Sequence, residues 1–150
     1  MPSVEVYFSP PPGIPAQIKA LIDAAVTTIR ICIFVFTEPT LAAALADAVT
    51  RGVNVEVIID YNSAYQTTSM AWQLSRTGVK VYTDNAHTQM HTKFGIFDFT
   101  TICTGSANWT QNADGLSAED FYVTSGDYPT VAKYNGNWEF HRSHSIPLPR

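Results

Sequence analysis

A histidine and a lysine two positions apart, followed at fixed distances by polar residues, could together attack a phosphate diester. The residues lie along one stretch of the chain, in the order His91, Lys93, Asp98, Gly105, Ser106 and Asn108. A neutral imidazole nitrogen can attack phosphorus and form a phosphohistidine, which divides a difficult hydrolysis into two easier displacements. The ammonium of Lys93 and the amide of Asn108 can hold the non-bridging oxygens and stabilise charge as it builds.

This stretch occurs only once in the chain, and that limits how it can work. A second imidazole must protonate the leaving oxygen and later activate the attacking water. The sequence alone does not provide a second copy of the stretch for that task.

The local pattern predicts how these side chains are presented. If residues 91–97 are extended, His91 and Lys93 point to one side, while Phe94 and Ile96 pack on the other. Asp98 has the parity of Phe94, so a regular strand would aim it away from His91, which favours a structural role. The turn at residues 105–108 can return hydroxyl, amide and backbone N–H groups to the mouth of the site, with Gly105 as its structural glycine.

Apolar periodicity predicts the elements that position this stretch. We expect strands at residues 4–8, 29–36, 53–60, 79–82, 91–97, 101–104 and 121–124. We expect helices at residues 14–26, from 39 to the glycine at 52 with Thr37 as N-cap, at 65–76 and at 128–141, and a loose C-terminal tail at 146–150. The early alternation of strands and helices implies parallel crossovers, and the later closely spaced strands imply antiparallel pairing. The predicted fold is a single α/β domain, residues 1–150, with a mixed sheet and helices on both faces.

Composition excludes several classes of protein. A net charge of -4 and nine scattered Lys and Arg residues argue against a general nucleic-acid coat protein. The longest apolar run, residues 31–36, is too short to span a bilayer, and we expect no stable membrane association. No leader is visible, so we expect a cytoplasmic protein unless a signal peptide has been removed, which would make it exported or periplasmic. Cys32 and Cys103 lie in apolar runs and are predicted to be buried free thiols.

The six fixed positions resemble the signature of the phospholipase D superfamily, H-x-K-x4-D-x6-G-S-x-N, and all six match. Over nearly its whole length the chain is similar to the small single-motif bacterial endonucleases of that superfamily. Further matching segments are Ser9-Pro10, Phe36-Thr37, Arg51-Gly52-Val53 with Asp60, Ala118-Glu119 and Trp138.

The resemblance implies a phospholipase D-like fold and assigns roles to residues. His91 would be the nucleophile, and Glu119 stands where the family has an acidic residue that orients the other ring nitrogen. The resemblance also implies hydrolysis without a metal or other cofactor. It further implies a homodimer that pairs two motifs across a two-fold axis, so that His91 of one subunit attacks while His91 of the other serves as the acid.

Three functions remain open, and the first is a non-specific endonuclease that cleaves DNA or RNA. Lys93, Ser106 and Asn108 would bind the phosphate, and Trp109 is a candidate wall of the site. The second is a phospholipase using the same phosphohistidine chemistry on lipid head groups. The third is a catalytically silent nucleic-acid-binding module, against which the intact His91, Lys93 and Asn108 set argues.

The other three histidines could be grouped with His91 as metal ligands. The spacings of His87, His141 and His144 match no established zinc pattern, so we predict solvated histidines of a loop and a tail, and no metal site.

Overall fold

Short apolar stretches bounded by turn residues form the strands of one eight-stranded sheet in the computed structural model, which describes residues 1–149. The strands are β1 (Ser3–Ser9), β2 (Thr28–Ile33), β3 (Asn54–Asp60), β4 (Lys80–Asp84), β5 (Lys93–Phe97), β6 (Thr101–Gly105), β7 (Glu119–Ser125) and β8 (Ile146–Pro147). Their order across the sheet is β1-β7-β6-β5-β2-β3-β4-β8. Parallel pairing joins β2, β3 and β4, and the other neighbours are antiparallel, as the sequence predicts.

Helices cover both faces of this sheet. They are α1 (Ile14–Ala24), α2 (Pro39–Thr50), α3 (Tyr61–Ala64), α4 (Ala71–Ser75) and α5 (Tyr128–His144). The side chains of α1, α2 and α4 share one apolar cluster with alternate residues of β2 and β3, whereas α5 packs against the opposite face. Trp138 of α5 is buried there, and its indole N–H donates to the Ile31 carbonyl at 3.1 Å. The predicted α/β class, with a mixed sheet and helices on both faces, is confirmed.

Two predicted helix boundaries are wrong. The N-cap of α2 is Glu38 rather than Thr37, because the Glu38 carboxylate accepts from the backbone N–H and the hydroxyl of Thr40 at 3.0 and 2.9 Å. Of the single helix predicted at residues 65–76, only α4 is helical, and the short α3 lies before the predicted range. Between them the Met70 N–H donates to the Phe36 carbonyl at 2.9 Å, outside any helical pattern.

The C-terminal tail is not loose in the described residues. β8 pairs with β4, the Leu148 N–H donates to the Val81 carbonyl at 2.8 Å, and Leu148 is buried. Ile146 is exposed and Leu148 is buried, so no alternation of apolar and polar residues indicated this edge strand in the sequence. Arg150, the last residue of that predicted tail, lies outside the described residues.

Cys32 and Cys103 are buried free thiols, as predicted. Within residues 1–149, none of the helices combines the length and the apolarity that crossing a bilayer requires.

Candidate active site

His91 and Lys93 lie side by side where the chain enters β5. The strand begins at Lys93, so His91 belongs to the preceding loop rather than to the strand predicted from residue 91. The Lys93 Nζ lies 3.0 Å from the His91 Nδ1 and donates to the His91 carbonyl at 2.9 Å. A lysine ammonium has only donors, so Nδ1 accepts this bond, and a neutral ring then carries its hydrogen on Nε2.

Phe34, which the sequence prediction placed inside a buried strand, forms the floor of this pair. β2 ends at Ile33, and the Phe34 ring stacks on His91 with 4.3 Å between ring centroids. Lys93 Nζ lies 5.6 Å from the centroid of the same ring. Burial lowers the pKa of Lys93, and the negative charge of Glu119 opposes this shift only in part. Phe34 thus holds the imidazole and the ammonium together, while His91 stays exposed.

The turn after β6 is built around Gly105. A Cβ on this residue would overlap the Asp120 carbonyl oxygen and lie 2.9 Å from the Phe121 Cα, so only glycine allows β6 and β7 to approach this closely. Ser106 follows, and its hydroxyl donates to the Glu119 carboxylate while accepting from the Asp120 N–H at 3.0 Å. The close approach of the two strands therefore brings Ser106 and Glu119 together.

Asn108 also lies near the end of β2. Its Oδ1 accepts from the Val35 N–H at 3.3 Å, and its side-chain nitrogen has no partner among residues 1–149. Its donor group is therefore available at the edge of the site.

Two of the predicted site residues make no hydrogen bond to His91 within the described chain. Trp109 is only 2% exposed and packs edge-on against Phe36 at 5.3 Å, so its ring belongs to the core of the protomer instead of to a wall of the site. Glu119 lies close enough to Lys93 for its charge to act on the pKa of that lysine, and its carboxylate accepts from the Ser106 hydroxyl.

Asp98 points away from the site, as its parity predicts. Its carboxylate accepts from the backbone N–H groups of Val26, Thr27 and Thr28 at 2.8 to 3.1 Å, and from the Thr27 hydroxyl. Burial alone would raise its pKa, but these hydrogen bonds lower it below the ordinary value. The carboxylate fastens the start of β2 to the end of β5, and Lys93 and Phe34 lie at the opposite end of this strand pair.

The other three histidines are not separate solvated residues, and that prediction is wrong. His87, His141 and His144 converge on Asp84, whose side chain is fully buried at the end of β4. We call these four residues the histidine cluster. Sequence reasoning missed it because Asp84 and His141 are 57 residues apart and meet only when α5 packs beside β4.

A single carboxylate oxygen is at the centre of the histidine cluster. Asp84 Oδ2 lies 2.8 Å from His141 Nδ1, 2.9 Å from His144 Nε2 and 3.2 Å from His87 Nδ1. Burial alone would raise the pKa of Asp84, but hydrogen bonds from His144, His141, the Ala86 N–H and His87 together lower it to about 2. Asp84 is therefore an ionised carboxylate held inside the protein.

A groove of about 590 Å³ opens beside the site. Its walls carry no charged side chain, and they consist of Val35, Thr37, Pro39, Thr68, Met70, Thr110, Gln111 and Asn112. Val35 connects it to the site through its bond to Asn108.

Comparison with known proteins gives relatives of several kinds. The family described as cardiolipin synthase, PLD-like domain, matches residues 18–140. Phospholipase D of Rickettsia bellii (strain RML369-C) is 33% identical over 135 residues, which are 90% of this chain and 67% of that protein. Mitochondrial cardiolipin hydrolase of Xenopus tropicalis is 33% identical over 124 residues, which are 83% of this chain and 59% of that protein. The chain thus spans between 59% and 67% of the length of these two relatives.

The fold matches a solved structure along its whole length. Nuc from Salmonella typhimurium, a phospholipase D family member, superposes with a TM-score of 0.95 at 28% identity, covering 100% of both chains. The family match at residues 18–140 contains the complete stretch from His91 to Asn108 together with Glu119. The chain belongs to the phospholipase D superfamily, and its fold is that of Nuc.

Proposed function

We propose that this protein is a phosphodiesterase that hydrolyses its substrate through a phosphohistidine on His91. The observation that carries the proposal is the pairing of His91 with Lys93 on the Phe34 ring, beside the turn that holds Ser106 and Asn108. A nucleophile and a phosphate-binding cation are thereby placed at one solvent-exposed point.

Lys93 has two tasks in this mechanism. In the free protomer it donates to His91 Nδ1, which leaves the hydrogen of a neutral ring on Nε2, so that Nε2 has no lone pair for attack. A bound phosphate draws the ammonium onto a non-bridging oxygen and frees Nδ1. The ring hydrogen can then move to Nδ1, and Nε2 becomes the attacking atom.

Glu119 is the group that would hold the hydrogen on Nδ1. It is paired with the Ser106 hydroxyl in the free protomer, so it must exchange this partner for His91 when substrate binds. Ser106 is then released to donate to the phosphate, together with the Asn108 amide. Each of these donors stabilises the charge that accumulates on the equatorial oxygens.

A second copy of the chain supplies the general acid. The chain has four histidines, and three of them are engaged with Asp84 in the histidine cluster. His91 is therefore the histidine available for chemistry in each protomer, and a mechanism with two imidazoles requires two protomers. We propose a homodimer in which His91 of one subunit attacks and His91 of the other protonates the leaving oxygen. In the second step the latter imidazole removes a proton from water, and the P–N bond breaks.

Nucleic acid is the proposed substrate. Its support is the similarity of the sequence to small single-motif endonucleases and the full-length match to Nuc. The uncharged groove provides no track of positive charge along which a polyanion would be read. We therefore expect cleavage with little sequence preference and weak binding that depends on a few phosphate contacts.

A lipid phosphodiesterase is the second candidate. Relatives named phospholipase D and mitochondrial cardiolipin hydrolase, each 33% identical, favour it. The same phosphohistidine would form, and the difference would lie in which leaving group the uncharged groove receives.

The test uses purified protein in buffer without added divalent metal and three substrates: supercoiled plasmid, single-stranded DNA, and liposomes containing cardiolipin. We expect nicking and single-strand cleavage, and an alkaline quench should trap an acid-labile phosphate on His91 by mass spectrometry. Release of phosphatidic acid without DNA cleavage would assign the lipid substrate and overturn the nuclease. An adduct mapped to another residue would overturn His91 as the nucleophile.

A further inference from the structure

The histidine cluster has the composition and arrangement of a metal-binding site. Each half of it is a pair of residues three positions apart: Asp84 and His87 after β4, and His141 and His144 in the last turn of α5. Each residue offers one ligand atom, and these four atoms all lie within 4.8 Å of one another. Three imidazole nitrogens and one carboxylate oxygen are a ligand set that zinc accepts.

The distances match the edges of a coordination shell. Four ligands at 2.0–2.1 Å from a tetrahedral zinc are separated from one another by about 3.3 Å. The three nitrogen atoms are 2.8, 2.9 and 3.2 Å from Asp84 Oδ2, so these separations would lengthen by a few tenths of an ångström around the ion. The separations between the nitrogen atoms, none above 4.8 Å, would adjust to the same length.

Hydrogen bonds alone account poorly for this arrangement. A carboxylate oxygen has two lone pairs in the carboxylate plane, yet three imidazole nitrogens converge on Oδ2. In addition, Oδ1 of the same carboxylate accepts from the Ala86 N–H at 2.9 Å and lies 3.3 Å from the His87 Nδ1. A cation among the four ligand atoms would replace three crowded hydrogens on Oδ2 and neutralise a charge that is buried completely.

We propose that Asp84, His87, His141 and His144 bind one structural Zn²⁺ ion per chain. The carboxylate is oriented in advance by the Ala86 N–H, in the way that outer hydrogen bonds commonly fix metal ligands. Phe140 covers the imidazoles with its ring, at centroid distances of 5.1 Å from His144 and 5.3 Å from His141. All four ligands belong to the protein, so the ion has no open coordination position and takes no part in phosphate chemistry.

The ion would add a second connection between two parts of the fold that the pairing of β8 with β4 already brings together. It would tie the end of α5 to the end of β4, and through His87 it would also hold the loop that leads to His91. A further bond from the Met90 N–H to Asp60 Oδ1, at 2.9 Å, fixes the other end of this loop. The metal would therefore stabilise the fold and position the loop that carries the nucleophile.

The test measures zinc binding by the full chain, with any polyhistidine tag removed. We expect one equivalent of Zn²⁺ after dialysis, measured by elemental analysis, and a Tm that is about 5–10 °C higher at a hundredfold excess of Zn²⁺ over Kd. Substitution with Co²⁺ should give the intense visible absorption of a tetrahedral site. A weak octahedral spectrum, or less than stoichiometric zinc that dialysis removes, would overturn the proposal.

Variants distinguish this site from other histidines. His141→Ala should lower the zinc affinity at least 100-fold, and His87→Ala, whose side chain is more exposed, provides a variant that folds if the first does not. His91→Ala removes the remaining histidine, which lies outside the cluster, and should bind zinc as the wild type does. Equal loss of zinc in His91→Ala would place the ion at the candidate active site and refute the assignment to the cluster.

Discussion

The two ends of the loop between β4 and β5 carry histidines in different surroundings. The histidine cluster lies at one end, and His91 lies at the other. At one end, the histidine cluster surrounds a fully buried carboxylate, and each imidazole has a nitrogen bonded to Asp84. At the other end, His91 is exposed, rests on Phe34 and accepts a hydrogen bond from Lys93. His91 is only four positions after His87 in the sequence, so the contrast arises from the neighbouring residues in the fold and not from the segment.

The difference shows how the environment selects the task of an imidazole. A histidine bonded to a buried charge cannot leave it without exposing that charge to an apolar interior, which costs several kcal/mol. It is therefore suited to holding structure or a metal. A histidine whose ring is exposed and bonded only to a neighbouring lysine can exchange partners at little cost, which is what the proposed nucleophile has to do.

The strongest test of this comparison removes one imidazole from each group. His91→Ala should lower kcat by at least about 10⁴-fold, because the covalent step is lost, while the thermal stability stays close to that of the wild type. His141→Ala should do the opposite, with a loss of about 1–3 kcal/mol of unfolding free energy and a much smaller change in kcat. Single-turnover kinetics and urea denaturation of both variants measure these effects.

Mixing wild type with His91→Ala sharpens the same prediction for the dimer. If each cleavage needs two His91 side chains, a mixed dimer is inactive, and activity should fall as the square of the wild-type fraction. A linear decrease, at equilibrium between subunits, would mean that each protomer works alone.

The second prediction concerns the cation beside His91. Lys93→Met keeps the length of the side chain over Phe34 but removes the charge, and we expect kcat to fall about 10²–10³-fold, the loss typical of one transition-state donor. Because burial lowers the pKa of Lys93, the activity of the wild type should also decline as pH rises, before an ordinary lysine would deprotonate. A pH profile of kcat checks this. The side chain of Lys93→Arg stays charged, so if this variant lost activity at the same alkaline pH as the wild type, the assignment of the decline to Lys93 would be contradicted.

The sequence predicted much of the candidate active site but did not predict the histidine cluster. The reasons are physical. His91, Lys93, Ser106 and Asn108 are close in sequence, so strand alternation and one turn are enough to predict their neighbourhood. Phe34 was missed because an apolar residue at a strand end looks like core until the pairing of β2 with β5 is known.

The histidine cluster and the helix boundaries depend on distant contacts. Asp84 and His141 meet only through the packing of α5, which no local period reveals. The same holds for the interruption between α3 and α4, because the carbonyl that accepts from Met70 belongs to Phe36. Glu119 was assigned by resemblance, and its pairing with Ser106 requires the register of β6 against β7.

The third prediction compares two glycines. Gly105 lies beside the candidate active site, and Gly136 lies in the helix that carries two histidines of the cluster. Gly105→Ala places a Cβ against the Asp120 carbonyl, so β6 and β7 must separate, and we expect a loss of about 1–3 kcal/mol together with reduced activity. Gly136 lies in α5, the helix that carries His141 and His144, and a Cβ there meets nothing within 4 Å. Gly136→Ala should therefore stabilise the protein slightly, by up to about 1 kcal/mol, and leave activity unchanged. Chemical denaturation and plasmid nicking measure the stability and the activity of both variants. If Gly136→Ala lost as much of either as Gly105→Ala, the close approach of β6 and β7 at Gly105 would not explain the effect.

The last prediction concerns a second carboxylate, which is held by amides instead of imidazoles. Asp98 accepts three backbone N–H bonds, which outweigh its burial and lower its pKa below the ordinary value. A folded-state pKa below the unfolded one gives stability that is complete above the unfolded pKa, near 3.9, and is lost as pH falls through the folded pKa. Asp98→Asn should cost about 1–2 kcal/mol at neutral pH and flatten the decline in stability below about pH 4.

Urea titrations from pH 2 to 7 measure this, with Asp23→Asn as the control, because the Asp23 carboxylate is an exposed surface partner of Lys19. If Asp98→Asn kept the acid limb of the wild type, the N–H groups of residues 26–28 would not be what holds β2 against β5.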